Sequence, residues 1–174
     1  MKKQMKSIVA LFSICAVIAI ILAATNAITT PLIEKNEAEA AKKAMLEVLP
    51  TGEDFKQIDI SKFNLPSTVK EAYREKNGGY IFKMTTSGFS TGMGIMCGIN
   101  SDGTVSGAVC LASSETLGYE KTFGETLKGV DAKTVGSVDT ISGATKTTEA
   151  YRNAVRDALT AFAVLGGDSY YSVS

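Results

Sequence analysis

The sequence predicts an α+β fold: a single N-terminal transmembrane helix followed by an antiparallel sheet that is packed by at least two helices. Three observations lead to this prediction. An uncharged apolar run lies near the N-terminus, a block of strand-like segments with turn signals follows it, and an amphipathic stretch covers residues 147–165. A chain of 174 residues is long enough for one such domain and its anchor.

The N-terminal run carries no charge over residues 8–28, and Lys2, Lys3 and Lys6 precede it. A helix over this run is about 32 Å long, which matches the hydrocarbon thickness of a bilayer. Two interpretations stay open, a retained anchor and a cleaved secretory signal with small residues near Ala24. The run is longer than the core of a usual signal, which favours the anchor. In both cases the lysines place the rest of the chain outside the cytoplasm.

The chain is predicted to consist of three segments. Residues 1–30 form the cytoplasmic N-terminus and transmembrane anchor, residues 31–50 a linker helix, and residues 51–174 the folded domain. The linker is rich in strong helix formers, and Pro50 and Gly52 end its helix.

The folded domain begins with a β-rich block. Three strands are predicted, over residues 80–86, 92–99 and 104–111, with a turn at residues 100–103. Upstream, residues 58–63 form a short strand or extended loop, and residues 69–76 a short strand or helical turn. The glycines inside the block indicate bulges or places where another group approaches the backbone closely, and they are Gly92, Gly94, Gly98 and Gly107.

The clearest helix covers residues 147–165, after a stretch at residues 112–138 that is predicted to be loop with short helical pieces. Apolar residues recur in this helix at the i, i+3, i+4, i+7 spacing of a single face. They are Tyr151, Ala154, Val155, Ala158, Leu159 and Phe162. Gly166 and Gly167 end the helix.

The composition excludes several kinds of site. The sequence has no histidine, which excludes the usual Ser-His-Asp and Cys-His hydrolases and sites that bind zinc or haem through histidine. We therefore expect no catalytic residue and no metal site, and redox chemistry would need an added cofactor. The formal net charge is zero, so nucleic acid is not an expected partner.

Cys97 and Cys110 lie in the two strands that flank the turn at residues 100–103. A two-residue loop pairs Cys97 with Ala108, and a four-residue loop pairs it with Ser106. Cys110 then lies on the same face but diagonally displaced, so we expect two buried thiols rather than a cross-strand disulfide.

The segment from Ser142 to Thr145 stands directly before the clearest helix. The first N–H groups of a helix lack internal partners, and the helix dipole adds partial positive charge there. Gly143 lets the backbone come close to a ligand, and Thr147 and Thr148 add further hydroxyls. This pattern is typical of a phosphate site, although serine and threonine in such positions are also ordinary helix caps.

The run Asp139-Thr-Ile-Ser-Gly-Ala-Thr145 resembles the flavinylation motif of the FMN-binding domain family, Asp-x-x-(Ser/Thr)-Gly-Ala-Thr. Ser114-Glu-Thr-Leu-Gly118 is similar to that family's Glu-Thr-Pro-Gly segment beside the flavin, and the strand block from Gly79 is similar to its strands. Leu117 replaces the family's proline, and Tyr119-Glu120 replaces its Leu-Gly. The length and the N-terminal segment are most similar to the G subunits of Rnf-type ion-translocating electron transport complexes.

The resemblance implies that FMN is joined to Thr145 by a phosphodiester that a separate flavin transferase forms. Asp139 would belong to the sequence that the transferase recognises, or be structural. The phosphate would be held by backbone N–H groups of Ser142, Gly143 and Ala144, and Thr148 would add a hydrogen bond. The resemblance also implies residues beside the ribityl chain or the ring, which are Glu115, Thr116, Leu117 and Gly118. Met93 and Met96 are further candidates for apolar contact with the ring.

The function implied is that of a membrane-anchored electron carrier with an extracytoplasmic flavin domain, not catalytic alone. It would work in a complex that couples ferredoxin and NAD oxidoreduction to ion movement across the membrane. Its partners would be the other membrane and peripheral subunits, the transferase and membrane lipid. Two alternatives stay open: a stand-alone flavinylated extracytoplasmic reductase domain, and a non-redox anchored binding module in which Ser142–Thr145 is only a cap.

Overall fold

The computed structural model describes residues 2–115 and 117–166, with side-chain environments for all of these except residues 2–11, 28 and 31–38. The chain forms two compact units, Met1–Ala41 and Lys42–Ser174, and each is described by itself.

Helix α1 covers Lys2–Val48 and supplies the first unit as well as the first residues of the second. The sequence predicts an anchor and a separate linker helix, whereas the structure has one helix that continues through Pro31. The predicted end of the helix before Pro50 is confirmed. Among the described residues no helix is long and apolar enough to cross a membrane, so the transmembrane helix predicted over residues 8–28 is not found there.

The second unit is built on a five-stranded antiparallel sheet whose strands follow one another in chain order. The strands are β1 (Lys56–Ile58), β2 (Val69–Arg74), β3 (Tyr80–Thr86), β4 (Met93–Ile99) and β5 (Val105–Ala112). The three strands predicted over residues 80–111 are thus confirmed. Of the two ambiguous segments upstream, residues 69–76 contain strand β2, whereas residues 58–63 include only the last residue of β1 and then a 3-10 helix at Ile60–Lys62.

The β4–β5 hairpin has a three-residue turn followed by a bulge. Asn100 N–H donates to the Thr104 carbonyl at 2.8 Å, and the register then shifts by one residue beyond Ile99. The shift places Cys97 opposite Ala108, as predicted for a two-residue loop, although the loop itself is longer. Cys110 stands opposite Ile95, on the diagonal from Cys97, and both cysteines are free thiols. Cys97 is buried as expected, whereas Cys110 is only half-buried.

Helix α2 (Thr145–Gly166) packs against β3 and β4 on one face of the sheet. The predicted apolar stripe is confirmed, since its side chains enter the core beside Phe82, Ile95 and Cys97. Phe162 is only partly buried, and its ring meets Tyr80 edge-on with the ring centroids 5.5 Å apart. The helix begins at Thr145, two residues earlier than predicted, so Thr145 and Lys146 belong to its first turn.

The opposite face of β4 and β5 receives the end of α1. Gly98 and Gly107 are paired across the two strands, and a Cβ at Gly98 would lie 2.4 Å from the Val48 carbonyl oxygen. A Cβ at Gly107 would lie 3.1 Å from Val48 Cα, and the Val48 side chain is fully buried. The close backbone approach predicted at these glycines is therefore confirmed.

The segment between β5 and α2 contains the short helical pieces that the sequence predicts. They are 3-10 helices at Tyr119–Lys121, Phe123–Leu127 and Val135–Ser137. Phe123, Leu127 and Val135 are buried in the same core as α2. These anchors hold the segment against the sheet and bring its first residues beside the start of α2.

Candidate functional site

A tight turn leads into α2. Ala144 N–H donates to the Ile141 carbonyl at 3.0 Å, and Gly143 has a φ of +86°. A hydrogen bond across four residues with positive φ at the third is the pattern of a type II turn, which glycine adopts without strain. Thr148 N–H then donates to the Ala144 carbonyl at 3.0 Å as the first bond of the helix. The N–H groups of the helix residues that precede Thr148 have no acceptor within the helix.

The three threonines of this helix start differ in exposure. Thr145 is exposed, whereas Thr147 and Thr148 are buried, at 6% and 0% of their surface. The Thr148 hydroxyl donates to the Ala144 carbonyl at 3.0 Å and accepts from Ile141 N–H at 3.2 Å. Thr148 therefore fixes the turn internally, and the structure does not bring it to the surface where a phosphate bond was predicted.

A cavity of about 420 Å³ opens beside the exposed threonine. It is lined by Phe89, Glu115, Leu117, Tyr119, Glu120, Gly143, Ala144, Thr145, Lys146 and Thr147. Five of the predicted site residues are among them, namely Glu115, Leu117, Gly143, Ala144 and Thr145. The structure thus brings together the two segments that the sequence singles out on either side of the 3-10 helices.

The other predicted site residues do not line this cavity. Ser142 and Asp139 are exposed in the approach to α2, and Gly118 stands before the first 3-10 helix with a φ of 73°. Met93 and Met96 are buried core residues of β4. Thr116 lies outside the described residues.

Five lining residues are not among the predicted site residues; Lys146 and Thr147 directly follow the predicted Ser142–Thr145 segment, and the other three come from elsewhere. Phe89 lies in the β3–β4 connection, which carries no sequence signal of its own. Tyr119 and Glu120 could have been found, because they are the positions where the chain departs from the family pattern directly after the predicted Glu115–Gly118 segment.

The Glu115 carboxylate joins the segments around the cavity. It accepts hydrogen bonds from the Thr147 hydroxyl at 2.5 Å and from Ser90 N–H at 2.9 Å. Desolvation acts to raise the pKa of Glu115, but the bonds from Thr147, Ser90 and Phe89 outweigh it and hold this pKa below its usual value. The carboxylate is consequently charged at neutral pH and fully engaged within the protein.

Gly88 allows the β3–β4 connection to lie close to Glu115 and to the start of α2. A Cβ there would lie 2.8 Å from Glu115 Oε1 and 2.9 Å from Thr147 Cα. Because the α2 backbone is one of the two neighbours, a side chain at residue 88 would push the β3–β4 connection away from the cavity.

Glu120 is the second carboxylate of the cavity and differs from the first. It is 3% exposed, and in the part of the chain that the structure describes its Oε2 atom is buried without a hydrogen-bond partner. Buried carboxylate oxygens are nearly always paired, so the unpaired oxygen sets Glu120 apart from Glu115.

The cavity lies in the part of the chain that is similar to a known family of cofactor-binding domains. The model of the FMN-binding domain family matches residues 88–160, a range that contains every lining residue. The lining also fits the cofactor. The free N–H groups of α2 and Lys146 suit a phosphate, Phe89, Leu117 and Tyr119 suit a flat aromatic ring, and Glu120 offers a free acceptor. The volume lies within the range of about 300–1,000 Å³ that is usual for cofactor sites.

Two curated relatives place the chain more closely. It is 33% identical over 122 residues to the G subunit of the Na(+)-translocating ferredoxin:NAD(+) oxidoreductase complex of Acetobacterium woodii, a match that covers 62% of this chain and 59% of the relative. It is 30% identical over 177 residues to the G subunit of the ion-translocating oxidoreductase complex of Methanosarcina acetivorans, covering 91% of this chain and 94% of the relative. The chain belongs to this family of G subunits of ion-translocating oxidoreductase complexes.

Proposed function

We propose that this chain is the electron-carrying G subunit of an ion-translocating ferredoxin:NAD oxidoreductase complex, and that it carries FMN covalently on Thr145. The observation that carries the proposal is the position of Thr145. It is exposed, it lines the 420 Å³ cavity, and it is the first residue of α2. A phosphate joined to its hydroxyl would lie at the positive end of the helix dipole, beside N–H groups that lack a partner.

The attachment is assigned to Thr145 because its neighbours are already engaged. The Thr147 hydroxyl is bonded to Glu115, and that of Thr148 to Ala144 and Ile141. The backbone of Gly143 also borders the cavity and can contribute its N–H, whereas the Ala144 N–H is already bonded to the Ile141 carbonyl. Ser142 is exposed one residue earlier, outside the cavity lining.

In this proposal a separate flavin transferase forms the bond by moving the FMN part of FAD onto Thr145 Oγ, with AMP as the leaving group. A threonine hydroxyl is a weak nucleophile unless a base activates it. The chain has no histidine, and the Glu115 carboxylate is held by donors of its own. Asp139 is exposed ahead of the turn, where a transferase has access to it.

The bound flavin would supply the redox chemistry, since FMN takes up and releases electrons. The protein binds the phosphate at the start of α2 and surrounds the ring with Phe89, Leu117 and Tyr119. Phe89 and Leu117 are largely exposed, so the cavity lies at the protein surface, where neighbouring subunits can approach it. A covalent cofactor suits this location, because a flavin lost outside the cytoplasm would not be replaced.

Membrane attachment is the second part of the proposal. Both relatives are named as components of ion-translocating complexes, and such complexes work at a membrane. The uncharged residues 8–28 would contact lipid, and exposed apolar side chains such as Phe12, Ile20 and Leu22 support this. The lysines before this run would keep the N-terminus in the cytoplasm, with the flavin domain outside.

The test is to produce the full chain together with a flavin transferase and to record its intact mass and in-gel flavin fluorescence. The wild-type chain and a Thr160→Ala control should both gain the mass of one FMN less water, because Thr160 is exposed on α2 away from the cavity lining. Thr145→Ala should gain none. Unmodified wild-type protein in the presence of active transferase would refute the proposal. Membrane subunits that co-purify with the chain would show that it works in a complex and not as a stand-alone flavin domain.

A further inference from the structure

We propose that Glu120 is a cofactor-contacting residue: its buried carboxylate accepts a hydrogen bond from the flavin in this cavity and makes that flavin harder to reduce. The inference rests on the proposed function, because it takes FMN as the occupant of the site. It adds a residue that the Thr145 motif does not point to.

The geometry is the first support. Glu120 is 3% exposed and lines the cavity, and its Oε2 atom has no partner within residues 2–115 and 117–166. A carboxylate removed from water needs a donor, and leaving it without one is unfavourable. Glu115, on the same cavity, shows the usual arrangement, with its oxygens bonded to Thr147 and Ser90.

The surrounding cations do not supply the missing donor. The ion pairs of the described residues join Lys62 to Asp59, Lys83 to Glu71 and Lys128 to Glu125, and none of them includes Glu120. Lys121 and Lys146 are both exposed to solvent. Oε2 is closed off from solvent by protein atoms, so an occupant of the cavity can reach the Glu120 carboxylate only through its other oxygen, Oε1.

FMN carries suitable donors, the imide N–H of its ring and the hydroxyls of its ribityl chain. Tyr119 and Leu117, which also line the cavity, mark this side of it as apolar and suited to the ring. A negative charge held next to the ring opposes the uptake of further negative charge when the flavin is reduced. Glu120 would therefore lower the flavin midpoint potential.

The residue is also a departure from the family pattern, which has Leu-Gly where this chain has Tyr119-Glu120. The effect on the potential would then be a property of this chain rather than of the attachment motif.

The first experiment uses the full chain, made with the transferase, as wild type, Glu120→Gln and Glu125→Gln. Glu125 is the matched control, because it is an exposed glutamate in the next 3-10 helix and does not line the cavity. All three should carry FMN by mass. The midpoint potential should move to a more positive value in Glu120→Gln and stay unchanged in Glu125→Gln. An unchanged potential in a fully loaded Glu120→Gln protein would overturn the inference and leave the proposed function intact.

The second experiment does not depend on covalent attachment. The Thr145→Ala chain is titrated with free FMN, alone and combined with Glu120→Ala or Glu125→Ala, and binding is followed by flavin fluorescence. Removing a charged acceptor should weaken binding about tenfold or more in the Glu120→Ala chain only. Without FMN, Glu120→Ala should melt at a higher temperature than its parent, because the unpaired carboxylate is gone. Equal affinities and equal melting temperatures would overturn the inference even if the wild type proved to carry no covalent flavin.

Discussion

The Thr147 hydroxyl donates a 2.5 Å hydrogen bond to Glu115 Oε2, which ties the first turn of α2 to the segment that follows β5. The same carboxylate accepts from Ser90 N–H at 2.9 Å, in the connection between β3 and β4. One side chain therefore sets the relative positions of three segments around the cavity.

Replacing Thr147 by valine should destabilise the second unit by about 1–2 kcal/mol, because the shape is kept while a bond to a charged acceptor is lost. Thr147→Ser, which keeps the hydroxyl, should retain most of the stability. Urea unfolding followed by circular dichroism measures both. Equal losses in the two variants would show that packing of the methyl group matters rather than the hydrogen bond.

The depressed pKa of Glu115 predicts a stability change in acid. Its folded-state pKa lies below its unfolded value, so its stabilising contribution is present above the unfolded pKa and is lost as the pH falls through the folded pKa. The stability difference between wild type and Glu115→Gln should therefore shrink from pH 6 to pH 3. Thermal melts across this range test it, with Glu125→Gln as the exposed control. A difference that stays constant with pH contradicts the prediction.

Gly88→Ala should separate the β3–β4 connection from α2, since its Cβ would lie 2.9 Å from Thr147 Cα. We expect a loss of about 1–3 kcal/mol, as for other overpacked sites. Gly94→Ala is the matched control, because a Cβ there has only ordinary contacts, the nearest at 3.7 Å. Chemical denaturation of both variants gives the comparison, and a Gly94→Ala chain that loses as much as Gly88→Ala would remove the steric explanation.

The two thiols of the sheet should react slowly in the native state. Burial raises the pKa of Cys97 to about 12, and burial with a smaller contribution from Glu120 raises that of Cys110 to about 11. At pH 8 the thiolate fraction of a thiol with a pKa of about 11 is about a hundredfold smaller than that of a thiol with the ordinary pKa of 9.0. Labelling of the two cysteines by iodoacetamide, measured by mass spectrometry, should therefore be slower by at least that factor in the native protein than in protein unfolded in guanidinium. Fast native labelling of Cys97 would contradict the buried position.

Much of the second unit follows from local patterns. The strands around Phe82 and Cys97 show β-rich segments between turn signals, and the apolar stripe of α2 shows the period of a helix. The proposed attachment segment at Thr145 is also recognisable from neighbouring residues alone, because a glycine, a hydroxyl and the start of a helix lie within a few residues of one another. These features do not depend on how distant segments meet, so the sequence alone predicts them.

The rest of the site depends on contacts between distant segments. The Glu115–Thr147 bond joins residues 32 positions apart, and Phe89 reaches the cavity only because Gly88 lets its loop approach α2. The inward direction of Thr148, by contrast, follows the apolar stripe, because Thr148 stands three residues before Tyr151 and seven before Val155 on the same helix face.

The glycine pair under Val48 has a consequence for shortened versions of this protein. A chain that began at residue 51 would lack four buried apolar residues, and these are Ala44, Met45, Val48 and Leu49. The backbone at Gly98 and Gly107 would then face water across a flat apolar surface, the kind of surface through which copies of a protein associate. A version that begins at Lys42, the first residue of the second compact unit, keeps that surface covered and should stay monodisperse.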